Sequence, residues 1–489
     1  MKKVVVIGAG ISGLTAAIYA QRSGFDVTLC EQNECAGGMC TAWKRKGYLF
    51  EGSIHCTGSN PKTELYKLWK DTGALGDTVK INLPDVFHAV EWEGQIINLY
   101  RDIEKTVEHL TAISPEDGKQ LRRLVSDVKA FSCLQMPIFD IKGIKTLTPK
   151  RMTFKGLIKM LPVLPTLGRL SSVSCKKYAE KFVHPGIRKL FCIIPDDFSC
   201  ISLIATLSTW NMGDGGFPEG GSLGMLDRMV KTFEDLGGKI LLKTKVKCVN
   251  IENKSVTGVK LTDGTPLAAD AVIVTQETIA AVEQLFDKPL NDAWLAELRN
   301  RTESVVCTFI GVGIRAKILQ TPIPKWKLTE PITCAGKTIT EIGFNNYFGH
   351  EGYAPEGCTT LTTTFTGDTY LFWKKAKEEG RYEDEKRLLS DQIRHAICQK
   401  YPQATDNIEV IDIATPLTYE RYTGAYHGSW MSITGLGKKM RTYPGFLKKI
   451  SGVYFAGHRL MTPGGLPVAL YSGHKAAQMI CRQYNVMFR

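Results

Sequence analysis

The chain has 489 residues, 43% hydrophobic and 23% charged. This is globular composition with length for about three domains, and it excludes a largely disordered chain or a miniprotein held by staples. The net charge is +13, but residues 141–179 alone hold nine Lys/Arg and no acid, so the excess does not describe a dispersed nucleic-acid-binding face. Residues 4–7 predict a short buried strand, 12–23 a helix and 26–31 a second strand, a βαβ opening. Residues 62–75 and 101–130 predict helices, the second starting at Asp102 as N-cap. Residues 131–175 carry Pro162 and Pro165 and predict at most two short helices. A glycine-rich stretch at 213–224 leads into a helix reaching 236. Strands follow at 240–246, 247–252, 256–261 and 271–274, with Asp263-Gly264 as a hairpin turn. Residues 305–314 and 358–366 read as strands, 383–401 as a helix, 453–456 as a last short strand and 468–484 as a final helix. There are no internal repeats.

No window holds the roughly 18 uncharged apolar residues of a membrane span. The apolar run after Lys3 is too short for a signal peptide. Fourteen cysteines fall below the density of a disulfide scaffold and read as free thiols in a reducing compartment. The expected location is therefore cytoplasmic. Within 141–179 the cations are interleaved with Phe154, Leu157, Ile158, Leu161 and Leu164. That pattern suits an anionic membrane surface better than nucleic acid, so peripheral contact at the inner face of a membrane is expected.

Gly8-Ala9-Gly10-Ile11-Ser12-Gly13 is a G-x-G-x-x-G that follows a predicted strand and opens a helix. Gly8 permits the turn, Gly10 lets the backbone approach a pyrophosphate, and Gly13 lets helix and strand pack closely. The amides of Ile11 and Ser12 stand at the helix N-terminus, which favours phosphate. Glu31 ends the second strand, where a carboxylate accepts from ribose hydroxyls. This reads as a dinucleotide site. Two further features separate FAD from NAD. Gly37-Gly38 lies just after the second strand, and the chain returns near its end with Gly457-His458 and Gly464-Gly465-Leu466. FAD is long and draws on such distant segments.

On these motifs the chain resembles, over essentially its whole length, the phytoene desaturase superfamily of FAD oxidoreductases, which includes carotenoid isomerase and retinol saturase. The Gly52-Ser53-Ile54-His55 run is most similar to the isomerase and saturase branch. The resemblance implies an α/β fold: a Rossmann-like FAD-binding domain of the amine-oxidase type, a discontinuous α+β substrate domain and a helical cap. It divides the chain into FAD-binding parts at 1–100, 213–280 and 431–489, a cap at 101–212 and a substrate domain at 281–430. It places FAD on Gly8, Gly10, Ile11, Ser12, Gly13, Glu31, Gly37, Gly38, Met39, Val246, Gly457, His458, Gly465 and Leu466. Many members have Arg where this chain has Met39, and Asp where it has His458.

The implied reaction passes hydride between flavin N5 and a carbon–carbon bond of a long apolar, polyene- or lipid-like substrate, as saturase, desaturase or isomerase. His55, Tyr422 and Arg421 are the candidate catalytic residues: a histidine near the flavin, and a proton donor with its cationic neighbour in an aromatic wall that also holds Tyr426 and His427. Tyr471 and His474 are weaker candidates. NAD(P)H is a candidate electron donor, although no second G-x-G-x-x-G follows a strand. Cys35 and Cys40 bracket Gly37-Gly38 rather than follow it, which disfavours a redox disulfide, and no metal site is expected. The alternatives are a flavin amine oxidase and a non-redox prenyl- or lipid-binding escort of the same fold. The intact glycine fingerprint and Glu31 argue against the escort.

Overall fold

A computed structural model describes the chain except residues 54–57, 134–135, 137, 152–157, 159, 195–197 and 437. Its centre is a five-stranded parallel sheet in the order Val453–Phe455, Ala271–Val274, Lys3–Ile7, Asp26–Cys30, Lys239–Leu241. Val6 sits between Ile273 and Leu29 in register. The strands are apolar without alternation because both faces are covered. Val4, Val6, Leu29 and Ile273 enter a core with helices Ile11–Arg22, Gly221–Asp235 and Leu466–Gln483. Val5, Ile7, Val272 and Val274 enter a second core with the antiparallel strands Val246–Glu252 and Ser255–Leu261.

The expected strand at 240–246 splits between these layers. Lys239–Leu241 joins the parallel sheet, and Val246 opens the antiparallel one. Between them Lys243 takes a left-handed conformation, and Thr244 donates its N–H to the Glu31 carbonyl at 2.7 Å.

A seven-stranded sheet forms the second layer, in the order Ile408–Ala414, Cys307–Ile314, Thr359–Thr366, Lys337–Asn346, Ile323–Cys334, Val86–Trp92, Gln95–Tyr100. Helix Tyr382–Lys400 buries Leu389, Ile393 and Ile397 against one face. On the other face the ring of Phe50 lies flat on Gly311, where a Cβ would meet its Cγ at 2.5 Å. Strand Tyr48–Glu51 thereby joins the substrate sheet to the dinucleotide fold.

Two expected domain boundaries move. The strands Val86–Trp92 and Gln95–Tyr100 belong to the seven-stranded sheet, because Lys325 pairs with Val90, and not to the first FAD-binding part. Helix Ala293–Arg301 packs Trp294, Leu295 and Leu298 into the core beneath Val272 and Phe455, so it belongs with the parallel sheet rather than the substrate domain.

The expected helix at 101–130 is two helices, Ile103–Ile113 and Gly118–Phe131, separated by a turn at Pro115–Asp117. Pro115 has no N–H to continue the ladder. The Asp117 carboxylate instead accepts from the N–H groups of Val183 and His184 at 2.6 and 3.1 Å. Asp102 caps the first helix, accepting from Glu104 N at 2.8 Å. In the basic-apolar stretch, described elements are Leu161–Val163, Leu164–Leu170 and Cys175–Ala179. Leu147, Leu161 and Leu164 are 76%, 53% and 54% exposed. Two of its cations are paired within the molecule, Arg169 with buried Asp127 and Lys150 with Glu64. Among the described residues no helix is long and apolar enough to cross a membrane.

Candidate active site

A cavity of about 1070 Å³ runs along the carboxyl edge of the parallel sheet. One end holds Glu31, after strand Asp26–Cys30, and the other holds Gly457, after strand Val453–Phe455. These strands are three positions apart, or roughly 14 Å across the sheet. The cavity therefore suits a long ligand laid across strand ends, where open α/β sheets bind ligands.

The first strand hands the chain to helix Ile11–Arg22 through Gly8, Gly10 and Gly13. A Cβ on Gly13 would lie 1.9 Å from the Gly8 carbonyl oxygen, so only glycine lets the helix start this close to the strand. Gly10 bridges to Gly37, and Gly37 N donates to the Ala9 carbonyl at 2.9 Å. The loop carrying Gly37, Gly38 and Met39 is thus folded onto the fingerprint. Gly8, Gly10, Ile11, Ser12, Gly37, Gly38 and Met39 all line the cavity, while Gly13 packs behind it. Helix Ile11–Arg22 has no acid in its first turn and no side-chain cap, and neither has helix Leu466–Gln483, which begins at the opposite end beside Gly465 and Leu466. Two uncapped N-termini give one cavity two clusters of free N–H groups.

The Glu31 carboxylate is buried and held from both sides. Oε2 accepts from Ala9 N at 2.8 Å, and Oε1 accepts from Asn33 N and Nδ2 at 2.9 and 2.8 Å. Oε2, with a single donor, keeps a lone pair for a hydroxyl donor. Val246 lines the cavity next to it. At the other end, His458 lines the cavity, and its two ring nitrogens have no hydrogen-bond partner among the described residues. Burial, then the adjacent Arg459 charge, pulls its pKa down to about 4, so the ring is neutral near pH 7.

Tyr422 and Arg421 also line the cavity. The Tyr422 carbonyl accepts from Asn33 Nδ2 at 2.7 Å and Gln32 Nε2 at 3.1 Å, and the Arg421 guanidinium lies over the Tyr422 ring at 4.6 Å. Both therefore stand beside Glu31, at the end opposite Gly457, and Tyr422 is 50% exposed. Tyr422→Phe is accordingly expected to change kcat less than twofold, and a loss of 100-fold or more, the range of an absent general acid, would support a catalytic role. His55 lies outside the described residues. Tyr471 donates to the Phe139 carbonyl at 3.1 Å, and His474 is wedged edge-on between Tyr19 and Phe488; neither lines the cavity. Tyr426 and His427 do line it, in a stack with Tyr370. Cys35 and Cys40 are both free, and burial pushes the Cys40 thiol up to about 12, which disfavours thiolate chemistry.

Sequence reasoning missed Arg459 and Glu277. Arg459 is 1% exposed and lines the cavity beside His458. Its guanidinium pairs with Glu277 through Nε and donates to Thr302 Oγ1 at 3.0 Å, Ser304 Oγ at 2.9 Å and Ser429 Oγ at 3.1 Å. Glu277 also caps helix Thr278–Gln284 and accepts from Tyr426 N at 3.3 Å. These partners are far apart in sequence, and no local pattern marks them.

A family model described as flavin containing amine oxidoreductase matches residues 11–481. A lycopene-forming phytoene desaturase of Pseudescherichia vulneris is 24% identical, over 98% of this chain and 99% of its own. A chloroplastic prolycopene isomerase of Daucus carota is 22% identical, over 97% of this chain and 79% of its own. Among solved structures, cyclohexylamine oxidase of Brevibacterium oxydans superposes with a TM-score of 0.60 at 16% identity, over 99% of each chain, which shows the shared fold. Glycine fingerprint, buried acid, cavity and family match converge: the chain belongs to the flavin-containing amine oxidoreductase family and is an FAD-dependent oxidoreductase.

Proposed function

We propose that the protein acts on a carbon–carbon bond of a long apolar, polyene- or lipid-like substrate, as a saturase, desaturase or isomerase. The observation that carries this reading is the similarity, over nearly the whole chain, to proteins named phytoene desaturase and prolycopene isomerase. When bound, FAD supplies hydride transfer at flavin N5. The rest falls to this chain. Glu31 accepts from the adenosine ribose. The Ile11 and Ser12 amides and the Gly10–Gly37 bridge meet the pyrophosphate. Val246 borders the adenine. Gly457, His458, Gly465 and Leu466 meet the ribityl and flavin, with Met39 alongside. A neutral His458 adds no charge next to the ring system. The exposed leucines and cations of 141–179 rest on an anionic membrane surface and let an apolar substrate pass from lipid to protein.

In the saturase and isomerase directions NADH or NADPH supplies the electrons. Anaerobic titration with each, followed at the visible flavin band, tests this. Bleaching supports a saturase or a reductively activated isomerase. A flavin that resists nicotinamide but is reduced by a polyene supports the desaturase direction. A flavin reduced by amines and by neither nicotinamide nor polyene would overturn the reading in favour of an amine oxidase.

A further inference from the structure

The described part of the flavin end is assembled from four separated segments. The Gly457–Leu460 turn carries His458. The ribbon of Thr302–Val305 and Met431–Thr434 pairs Ser304 with Ser432, and Trp430 N extends it by donating to the Val305 carbonyl at 3.0 Å. The Gly464–Gly465 loop is tied to that ribbon by Gly464 N, which donates to the Ser432 carbonyl at 2.8 Å. Helix Thr278–Gln284 follows the strand Ala271–Val274, second in the order of the parallel sheet.

One guanidinium touches three of these segments directly. Arg459 belongs to the first, bonds Thr302 and Ser304 of the ribbon, and pairs with Glu277 at the helix start. Glu277 in turn accepts from Ile279 N, Ala280 N and Tyr426 N. Arg459 also reaches Ser429, one residue before Trp430. Close by, four polar atoms are buried without a partner among the described residues: Trp430 Nε1, Ser432 Oγ and both ring nitrogens of His458. His458 Nδ1 and Ser432 Oγ converge on Gly464, where a Cβ would lie 2.8 and 3.1 Å from them. Trp430 and His458 line the cavity.

A buried ion pair gives little net stability over a well-packed apolar pair, so stability alone does not account for it. Orphaned buried polar atoms are costly and concentrate where a site is completed by something else. We propose that Arg459 and Glu277 are the positioning pair of the flavin end, locking the His458 turn, the Trp430 ribbon and the Gly464–Gly465 loop into one preset polar wall for the cofactor. The inference rests on the FAD reading of this cavity. Because the pair is neutral as a whole, removing either half leaves a bare charge beside the flavin, of opposite sign in the two cases.

The test compares the purified wild-type holoprotein with Arg459→Gln, Glu277→Gln and Arg459→Lys, measuring FAD dissociation constant and two-electron reduction potential. Arg459→Gln and Glu277→Gln are each expected to weaken FAD binding at least tenfold. Their potentials are expected to move in opposite directions, down for Arg459→Gln and up for Glu277→Gln. A tenfold change in the preference for reduced over oxidised flavin is about 30 mV. Arg459→Lys keeps the charge and is expected to keep the wild-type potential with intermediate affinity. If Arg459→Gln does not fold, Glu277→Gln and Arg459→Lys carry the comparison. Wild-type protein that binds FAD while Glu277→Gln binds it within twofold and at an unchanged potential would overturn the proposal. A wild-type protein that binds no FAD would overturn the cofactor reading beneath it.

Discussion

Gly13→Val should yield a protein without flavin. The first Cβ atom already lies 1.9 Å from the Gly8 carbonyl oxygen, well inside contact distance, and that oxygen belongs to the backbone of the turn itself. Helix Ile11–Arg22 cannot keep its place. It must move away from strand Lys3–Ile7, taking the Ile11 and Ser12 amides away from the cavity and opening the Gly10–Gly37 bridge. The cores around Leu121 and Leu203 and around Ile310 and Ile397 contain no residue of this helix, so a folded apoprotein is the expected product. The ratio of visible flavin absorbance to protein absorbance reads the loss, with far-ultraviolet circular dichroism reporting folding. Wild-type flavin content in this variant would show that the fingerprint loop does not hold the cofactor.

Leu161→Asp/Leu164→Asp should release the protein from anionic vesicles. Both side chains are more than half exposed on the turn and helix Leu161–Leu170, in a stretch without acidic residues. Inserting a leucine into the acyl boundary stabilises binding by about 1.5 kcal/mol, so losing two costs about 3 kcal/mol, or about 100-fold in partition, before the added repulsion of two carboxylates. Flotation with vesicles of phosphatidylglycerol and phosphatidylcholine measures it. High salt should weaken the wild type as well, because lysines act together with the leucines. Equal flotation of variant and wild type would place membrane contact elsewhere or nowhere.

The sequence was most legible where one local pattern serves one purpose. The βαβ opening, Glu31 and the last strand and helix are contiguous signals, and each element stands within two residues of its expected place. It was least legible where neighbours in the chain serve different layers. Residues 240–246 carry the apolar pattern of one strand, yet Thr244 turns back to Glu31 and splits it between two sheets. The Val86–Trp92 strand pairs with Ile323–Cys334, more than 200 residues away, and nothing local announces that partner. The same holds at the site. Tyr422 stood out for the aromatic wall of its segment, but that its carbonyl is held by Gln32 and Asn33 was not legible there. Arg459 carried no signal in the sequence. Only the fold shows it 1% exposed and paired with Glu277.

This cavity is expected to hold one FAD across the sheet edge from Glu31 to Gly457. The direct measurement is to purify the protein, denature it, and identify and quantify the flavin released by chromatography, with reconstitution of any colourless fraction by added FAD. One FAD per chain, bound without covalent attachment, is the predicted result. A protein that releases no flavin and takes up none on reconstitution would overturn the flavoenzyme reading and leave a lipid-binding escort of the same fold in its place.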